Sequence, residues 1–167
     1  MDLEPYRRKY GRFPIERRDW PVDADEFARF VARGREPVGA AALVWDREGR
    51  ILLVREASSA GKEGAWATPG GFAEREESPE ACVLREAREE AGVAIRITGL
   101  TKVVLCGVTD GGQILPFTFF QFEAEWEAGK PRRGNGIAAV AWFDHLPDGL
   151  HFRADYVDPW LRRRPTL

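Results

Sequence analysis

The sequence has no long apolar run, and it is poor in cysteine, histidine and net charge. No window approaches the roughly 18 uninterrupted apolar residues that a membrane-spanning helix needs, so no membrane partner is expected. The two cysteines, Cys82 and Cys106, form no Cys-x-x-Cys pair, which leaves a zinc site or a dithiol redox centre without support. The first residues, Met-Asp-Leu-Glu-Pro, lack the basic and apolar pattern of an export signal, which predicts a cytoplasmic protein.

The charge balance is nearly neutral, with 25 basic and 27 acidic residues and a net charge of −2. Duplex-binding domains carry a strong positive excess, so no nucleic acid partner is expected. Apolar residues make up 44% of the chain, which excludes a disordered protein. A length of 167 residues fits one folded domain with its own core.

The first 34 residues differ in pattern from the rest of the chain. Residues 1–22 show no clear period, which predicts an irregular arm, whereas residues 24–33 have apolar side chains at helical spacing. We therefore divide the chain into an N-terminal arm with a short helix, 1–34, and a main domain, 35–167. One strong helix over 79–91 among several strands predicts an α+β fold with a mixed sheet. The predicted strands are 38–45, 50–55, 101–108, 113–126 and 137–143.

The central helix carries three glutamates on one face. Glu86, Glu89 and Glu90 are spaced i, i+3 and i+4, so their side chains are neighbours on the helix surface. Like charges repel, and the C-terminal end of a helix disfavours anions, so a cation is expected beside them. Carboxylate oxygens suit hard divalent ions, which points to Mg²⁺ or Mn²⁺.

These glutamates belong to a longer pattern, Gly-x5-Glu-x7-Arg-Glu-U-x-Glu-Glu-x-Gly-U, where U is a bulky aliphatic residue. Through this motif the chain resembles the Nudix hydrolase family, with Ala87, smaller than usual, at the first U position. The resemblance implies a Nudix-type α/β/α sandwich around a mixed sheet, with the motif forming a loop, a helix and a loop. The matching residues are Gly71, Glu77, Arg85, Glu86, Glu89, Glu90, Gly92 and Val93.

The resemblance also implies a reaction, the divalent-metal-dependent hydrolysis of a nucleoside diphosphate linked to another moiety. The substrate would be a small nucleotide, either a nucleoside triphosphate or a nucleotide sugar such as ADP-ribose. N-terminal extensions in this family cover the cleft or exchange across a dimer, which leaves a homodimer open. Mg²⁺ or Mn²⁺ would be held by Glu86, by Glu90, by the carbonyl of Gly70 and, directly or through water, by Glu89. The catalytic residues would be Glu89, Arg85 and Glu77, of which Arg85 and Glu77 would orient the carboxylates.

One expected acid is missing outside the motif. Family members often supply it about six residues before the tryptophan of the last strand, where this chain has Asn135 and Gly136 ahead of Trp142. The general base is therefore left unassigned, and a glutamate of the motif is an alternative. Other candidates are Asp110, Glu123, Glu125 and Asp144.

Substrate contacts are less well marked than the motif. Trp66, Phe117 and Phe119 could stack on a base, although packing in the core or on the sheet explains each of them better. Arg55 could bind a phosphate, although it also fits an ordinary surface arginine. Arg55 and Trp66 are taken as the substrate-binding candidates.

Two other functions are kept as alternatives. The first is a Nudix-fold nucleotide-binding or regulatory domain without turnover, which the missing acid favours and the complete motif opposes. The second is isomerase chemistry like that of isopentenyl-diphosphate isomerase, which would need a reactive cysteine. A thiol reagent separates this second alternative from hydrolysis.

Overall fold

A single mixed sheet organises the computed structural model, which describes residues 1–57 and 64–163. Its strands are β1 Ile15–Pro21, β2 Val38–Trp45, β3 Ile51–Glu56, β4 Trp66–Ala67, β5 Gly70–Phe72, β6 Ala94–Thr109, β7 Ile114–Ala128 and β8 Ile137–Phe143. The strand order is β1-β6-β7-β2-β3-β4, with β5 paired to β2 and β8 paired to β3. β1 runs parallel to β6 and β2 parallel to β7, and the other pairs are antiparallel.

Helices cover both faces of this sheet. They are α1 Glu4–Tyr10, α2 Ala24–Val31, α3 Pro79–Ala91 and α4 Ala154–Arg163. On one face, Ala87 and Ala91 of α3 are buried in one core cluster with Phe120 and Phe122 of β7, and α3 packs mainly against β2, β5 and β6. Successive strand residues point to opposite sides, so the alternate residues form the other face, where α2 and α4 pack. The α+β class and the α/β/α sandwich expected from the sequence are therefore confirmed.

The central helix lies where its capping residues predict. The Ser78 side chain accepts a hydrogen bond from the N–H of Ala81 at 3.1 Å, and Pro79 occupies the first turn. The helix ends at Gly92, whose φ of +70° closes the last turn in the left-handed conformation. The helix therefore spans 79–91, as predicted.

The prediction of an irregular arm over 1–22 is wrong, because this segment contains α1 and β1. Tyr6 of α1 packs on Phe120 with ring centroids 4.8 Å apart. β1 adds a parallel edge strand to β6, pairing Ile15 with Val103 and continuing to Pro21 opposite Thr109. The strand was hidden because its half-buried side includes the charged Glu16 and Arg18, so apolar alternation is missing. The division of the chain at residue 34 stays a prediction.

Within 1–57 and 64–163, no helix is long and apolar enough to cross a membrane.

Candidate active site

The two glycines before the motif helix allow α3 to approach the sheet closely. Gly70 and Gly71 lie in β5, which pairs with Ala40 and Ala41 of β2. A Cβ atom on Gly70 would clash with Ala41, and a Cβ atom on Gly71 would clash with the Oε1 atom of Glu86. The absence of a side chain at Gly71 therefore lets the Glu86 carboxylate reach the strand.

Arg85 gathers the acidic residues of the motif. Its guanidinium donates to both carboxylate oxygens of Glu77 at 2.9 Å, to Glu86 at 2.8 Å and to Glu89 at 3.1 Å. It also donates to the carbonyl of Phe72 at 3.1 Å, which fixes it to β5. The hydrogen bonds from Arg85 lower the pKa of Glu77, and the acidic neighbours raise the pKa of Arg85. The structure thus brings these four predicted motif residues together.

Glu90 faces away from Arg85 and towards the strand. Its Oε2 atom accepts a hydrogen bond from the backbone N–H of Gly70 at 3.0 Å. Burial raises the pKa of Glu90 to about 8, and the negative charges of Glu86, Glu56 and Glu89 act in the same direction. Burial also raises the pKa of Glu86. Carboxyl groups of α3 are therefore concentrated next to β5, where burial disfavours their negative charge.

The carboxylates of the motif are not arranged around one common position for a metal ion. Over residues 1–57 and 64–163, no three histidine, cysteine, aspartate or glutamate side chains are grouped at metal-ligand spacing. The hydrogen bonds described above explain this, because Glu86 and Glu89 turn to Arg85 while Glu90 turns to Gly70. The oxygen atoms suit a hard divalent ion in kind, and side-chain rotation is needed to bring them together.

A cleft of about 470 Å³ opens beside Glu90. Its volume lies within the range of small-molecule sites. Gly70, Gly71 and Glu90 lie on one side, and much of the remaining wall is aromatic. Aromatic and other lining residues from four parts of the chain are Trp20, Phe30, Phe72, Phe117, Phe119, His151, Phe152 and Tyr156.

The two substrate-binding candidates are not among the residues that line this cleft. Arg55 and Trp66 face each other across β3 and β4, with the guanidinium 5.0 Å from the ring centroid. Trp66 also packs on Phe143 with ring centroids 4.8 Å apart. Sheet packing thus accounts for Trp66, and a substrate role for either residue stays a prediction. Phe117 and Phe119, by contrast, do line the cleft.

The loop that lacks the expected acid lies against the end of α3. Arg132 donates its backbone N–H to Ala91 at 2.9 Å, and Gly134 donates to Glu90 at 3.0 Å. The other acids proposed as replacements have partners elsewhere. Asp110 accepts backbone N–H groups of its own turn, Glu123 pairs with Arg163, Glu125 pairs with Arg96, and Asp144 pairs with His145.

An acid that the sequence analysis missed does line the cleft. Glu56 ends β3, and its charge contributes to the raised pKa of Glu90. Its position at the end of a buried strand was visible in the sequence as an Arg-Glu pair after an apolar run. Its proximity to Glu90, 34 residues later, depends on sheet pairing and was not visible. Glu26 of α2 is a second acid at the cleft.

Comparison with known proteins agrees with this geometry. The NUDIX domain family model matches residues 35–160. A MutT-like protein of Streptomyces ambofaciens is 32% identical over 116 residues, covering 70% of this chain and 68% of that protein. The NAD-capped RNA hydrolase NudC of Pseudomonas putida W619 is 30% identical over 163 residues, which cover 92% of this chain but only 50% of that protein.

A solved structure supports the same assignment. The MutT Nudix hydrolase of Burkholderia pseudomallei superposes with a TM-score of 0.59 and 30% identity, covering 78% of this chain and 98% of that one. The sequence match therefore extends to the fold that carries the motif. This chain belongs to the Nudix hydrolase family, and it is a Nudix pyrophosphohydrolase.

Proposed function

We propose that this protein uses Mg²⁺ or Mn²⁺ to hydrolyse a phosphoanhydride bond in a nucleoside diphosphate linked to another moiety. One observation carries the proposal: the Glu90 carboxylate, partly buried and held on the Gly70 N–H, lies at a cleft whose other walls are largely aromatic. Acidic oxygens suit the cation that accompanies a diphosphate, and aromatic rings suit a nucleobase. The cleft therefore offers both ends of such a substrate a matching surface.

The residues proposed to hold the cation are Glu86, Glu89, Glu90 and the carbonyl of Gly70. All four supply oxygen, and the missing side chain at Gly71 leaves room for Glu86 beside β5. A bound divalent cation would neutralise the diphosphate charge and acidify the attacking water. Among the described residues, the acidic side chains that line the cleft are Glu90, Glu56 and Glu26, and Glu90 is the one that belongs to the motif.

Arg85 and Glu77 are proposed as positioning residues. The two hydrogen bonds between them fix the guanidinium, which then holds Glu86 and Glu89 on the same side of α3. Glu89 is the most exposed of these carboxylates, with 61% of its side chain accessible, so it can turn towards substrate. We propose Glu89 or Glu56 as the group that accepts the proton of the attacking water.

The aromatic walls and one of the relatives support a substrate class. NudC is named for hydrolysis of NAD-capped RNA, and its similarity covers nearly the whole of this chain. This supports a dinucleotide or nucleotide sugar, such as ADP-ribose, over a nucleoside triphosphate. Two free, buried cysteines suit a reducing compartment, and we propose that the reaction takes place in the cytoplasm.

The test is cleavage of a substrate panel with Mg²⁺ and with a chelator. The panel contains nucleoside triphosphates, ADP-ribose, NADH, diadenosine polyphosphates and nucleotide sugars. Metal-dependent release of a mononucleotide from one class is expected. Glu80→Gln is the matched control for Glu90→Gln, because Glu80 lies on the same helix and hydrogen-bonds to Lys9 and Tyr10 instead of facing the cleft.

The same panel distinguishes the alternative without turnover. Tight nucleotide binding with no cleavage of any member, by a protein that circular dichroism shows to be folded, would favour a binding or regulatory domain. Cleavage that persists in the chelator would contradict the metal requirement.

A further inference from the structure

Four aromatic rings from distant parts of the chain meet at one end of the cleft. Trp20 contacts Phe30 at 5.4 Å, Phe152 at 5.2 Å and Phe117 at 6.1 Å, measured between ring centroids. We call these four residues the aromatic chamber. All four line the cleft that also contains Gly70 and Glu90. The chamber therefore shares the cleft with Glu90 of the motif.

Half of the chamber comes from outside the family match. Trp20 lies at the end of β1 and Phe30 lies in α2, whereas the family model begins at residue 35. Phe117 comes from β7, and Phe152 precedes α4. The N-terminal segment 15–31 thus completes a wall of the cleft, so it contributes to this chain's own specificity.

Phe152 is held in an unfavourable backbone conformation. Its φ of +50° lies in the left-handed region, where a bulky side chain is an outlier. Its side chain nevertheless remains partly open to solvent, with 37% of the residue exposed. Such outliers concentrate at ligand sites, where the surrounding structure maintains them. Simple core packing does not explain an exposed ring kept in this conformation.

A charged network holds Phe152 and Trp20 in place. The Arg18 guanidinium lies 5.1 Å from the Phe152 ring centroid and donates two hydrogen bonds to Asp155, at 2.9 and 2.8 Å. The buried Lys102 donates to the same carboxylate at 2.7 Å. Because Arg18 and Trp20 belong to β1 and Asp155 belongs to α4, the network fixes the N-terminal strand to the segment that carries Phe152.

We propose that the aromatic chamber binds the planar heterocycle of the nucleotide substrate, with its diphosphate over Gly70 and Glu90. Flat aromatic surfaces stack on bases of any kind, and the polar Arg29 and Glu26 at the same cleft can contact the edge of the ring. This assignment rests on the proposed function only for the position of the diphosphate. It names Trp20 and Phe152 as specificity-determining residues.

The test compares two non-hydrolysable ligands by calorimetry in Mg²⁺ buffer. α,β-Methylene-ADP carries a base, whereas methylenediphosphonate has the same phosphorus backbone without one. Base stacking on an aromatic side chain is worth a factor of roughly 5–150 in affinity. The intact protein should therefore prefer the base-bearing ligand by at least about fivefold.

Two variants each remove one ring of the chamber. Phe152→Gly suits the positive φ, and Trp20→Ala opens a partly exposed wall. Each should reduce the preference for α,β-methylene-ADP by about fivefold or more and leave methylenediphosphonate binding unchanged. Trp20→Phe should retain most of the preference. Leu161→Ala, which removes an exposed apolar side chain of α4 outside the cleft, should leave both affinities unchanged.

The possible outcomes distinguish base binding by the aromatic chamber from the proposed hydrolytic function. Equal weakening of both ligands in the variants would show a structural role and overturn the proposal, as would an unchanged preference or no preference in the intact protein. Loss of the preference in a protein that cleaves no member of the substrate panel would support the chamber and reject only the hydrolytic function.

Discussion

Two segments of the chain line the cleft, and they differ in whether their sequence pattern predicts their role there. Gly70–Gly92 presents its motif carboxylates from one helix and the loop before it, at fixed spacing along the chain. Ile15–Val31 contributes Trp20 and Phe30, which have no spacing relation to the motif. Covalent geometry positions the first group, and the second reaches the cleft only through strand pairing with β6.

From this difference we expect the motif segment to serve the chemistry and the N-terminal segment to serve the choice of substrate. The motif segment can be shared by many proteins because a helix reproduces its geometry anywhere. The N-terminal segment depends on this chain's own contacts, such as the Arg18–Asp155 pair at 2.8 Å. Changes in the motif should therefore affect turnover for every substrate, and changes in the N-terminal segment should affect recognition.

The largest effect is expected for Glu90→Gln. Loss of a cation ligand worth several kcal/mol should lower kcat by roughly 10³-fold at saturating substrate. The fold should remain intact, because Gln can still accept the N–H of Gly70 and no longer places a charge in a buried position. Steady-state kinetics and thermal unfolding check both points, with Glu80→Gln as the control. If Glu90→Gln retained most of the activity, Glu90 would not be a ligand of the cation.

A smaller effect, on stability, is expected for Asp155→Asn in the N-terminal region. Only 12% of the Asp155 side chain and 10% of the Lys102 side chain are exposed, so removing the charge leaves this buried lysine with the more exposed Glu16 as its remaining carboxylate partner among the described residues. We expect the free energy of unfolding at pH 7 to fall by about 3 kcal/mol, measured by urea denaturation. Asp158→Asn, an exposed neighbour on α4, should change it little. Equal stability of the two variants would contradict a stabilising role for the charged network around Asp155.

The ion pairs of Asp155 also predict that the stability of the protein depends on pH in the acid range. Burial would raise the pKa of Asp155, but hydrogen bonds from Arg18 and Lys102 outweigh it and hold the pKa below 3.8. A lowered pKa in the folded state contributes stability above the unfolded pKa, and this contribution is lost as the pH falls through the folded value. The stability difference between the wild type and Asp155→Asn should therefore be full near pH 7 and shrink towards pH 2. A difference that stays constant would exclude this carboxylate as the cause.

Arg85→Lys should have an intermediate effect in the motif region. Lysine keeps the charge but cannot reproduce the paired hydrogen bonds to Glu77 or reach Glu86 and Glu89 together. We expect a loss of about 1–2 kcal/mol in unfolding free energy and a kcat lower by about tenfold. The Mn²⁺ concentration for half-maximal activity should rise, since the carboxylates lose their alignment. Unchanged metal dependence would argue against a positioning role.

The smallest effect is expected for thiol modification. Burial raises the pKa of Cys82 to about 12 and that of Cys106 to about 11, so little reactive thiolate exists at neutral pH. N-ethylmaleimide should leave the activity within about twofold of the untreated protein. Rapid inactivation, with mass spectrometry placing one adduct on Cys82 or Cys106, would instead favour the cysteine-dependent isomerase alternative.

Local patterns were predicted well where one segment contains all of its own determinants. β2 and β8 have the predicted bounds, and α3 begins after Ser78 and ends before Gly92 because capping residues act within one turn. β6 begins earlier than predicted, at Ala94 instead of residue 101. Two irregularities in its pairing with β7, near Gly99 and Leu100, interrupt the alternation of its side chains and hide the continuation.

The sequence by itself identified the family through its motif, and helical spacing placed Glu89 within reach of Arg85. The resemblance to the family, and not spacing, implied the sandwich fold and the pairing of Arg85 with Glu77. Only the tertiary structure decided that Glu56 lies near Glu90, that Arg55 and Trp66 face each other instead of the cleft, and that 1–22 forms a helix and an edge strand. Strand pairing and packing between segments far apart in the chain set these positions. A one-dimensional pattern records each residue's type but not its partner across the sheet.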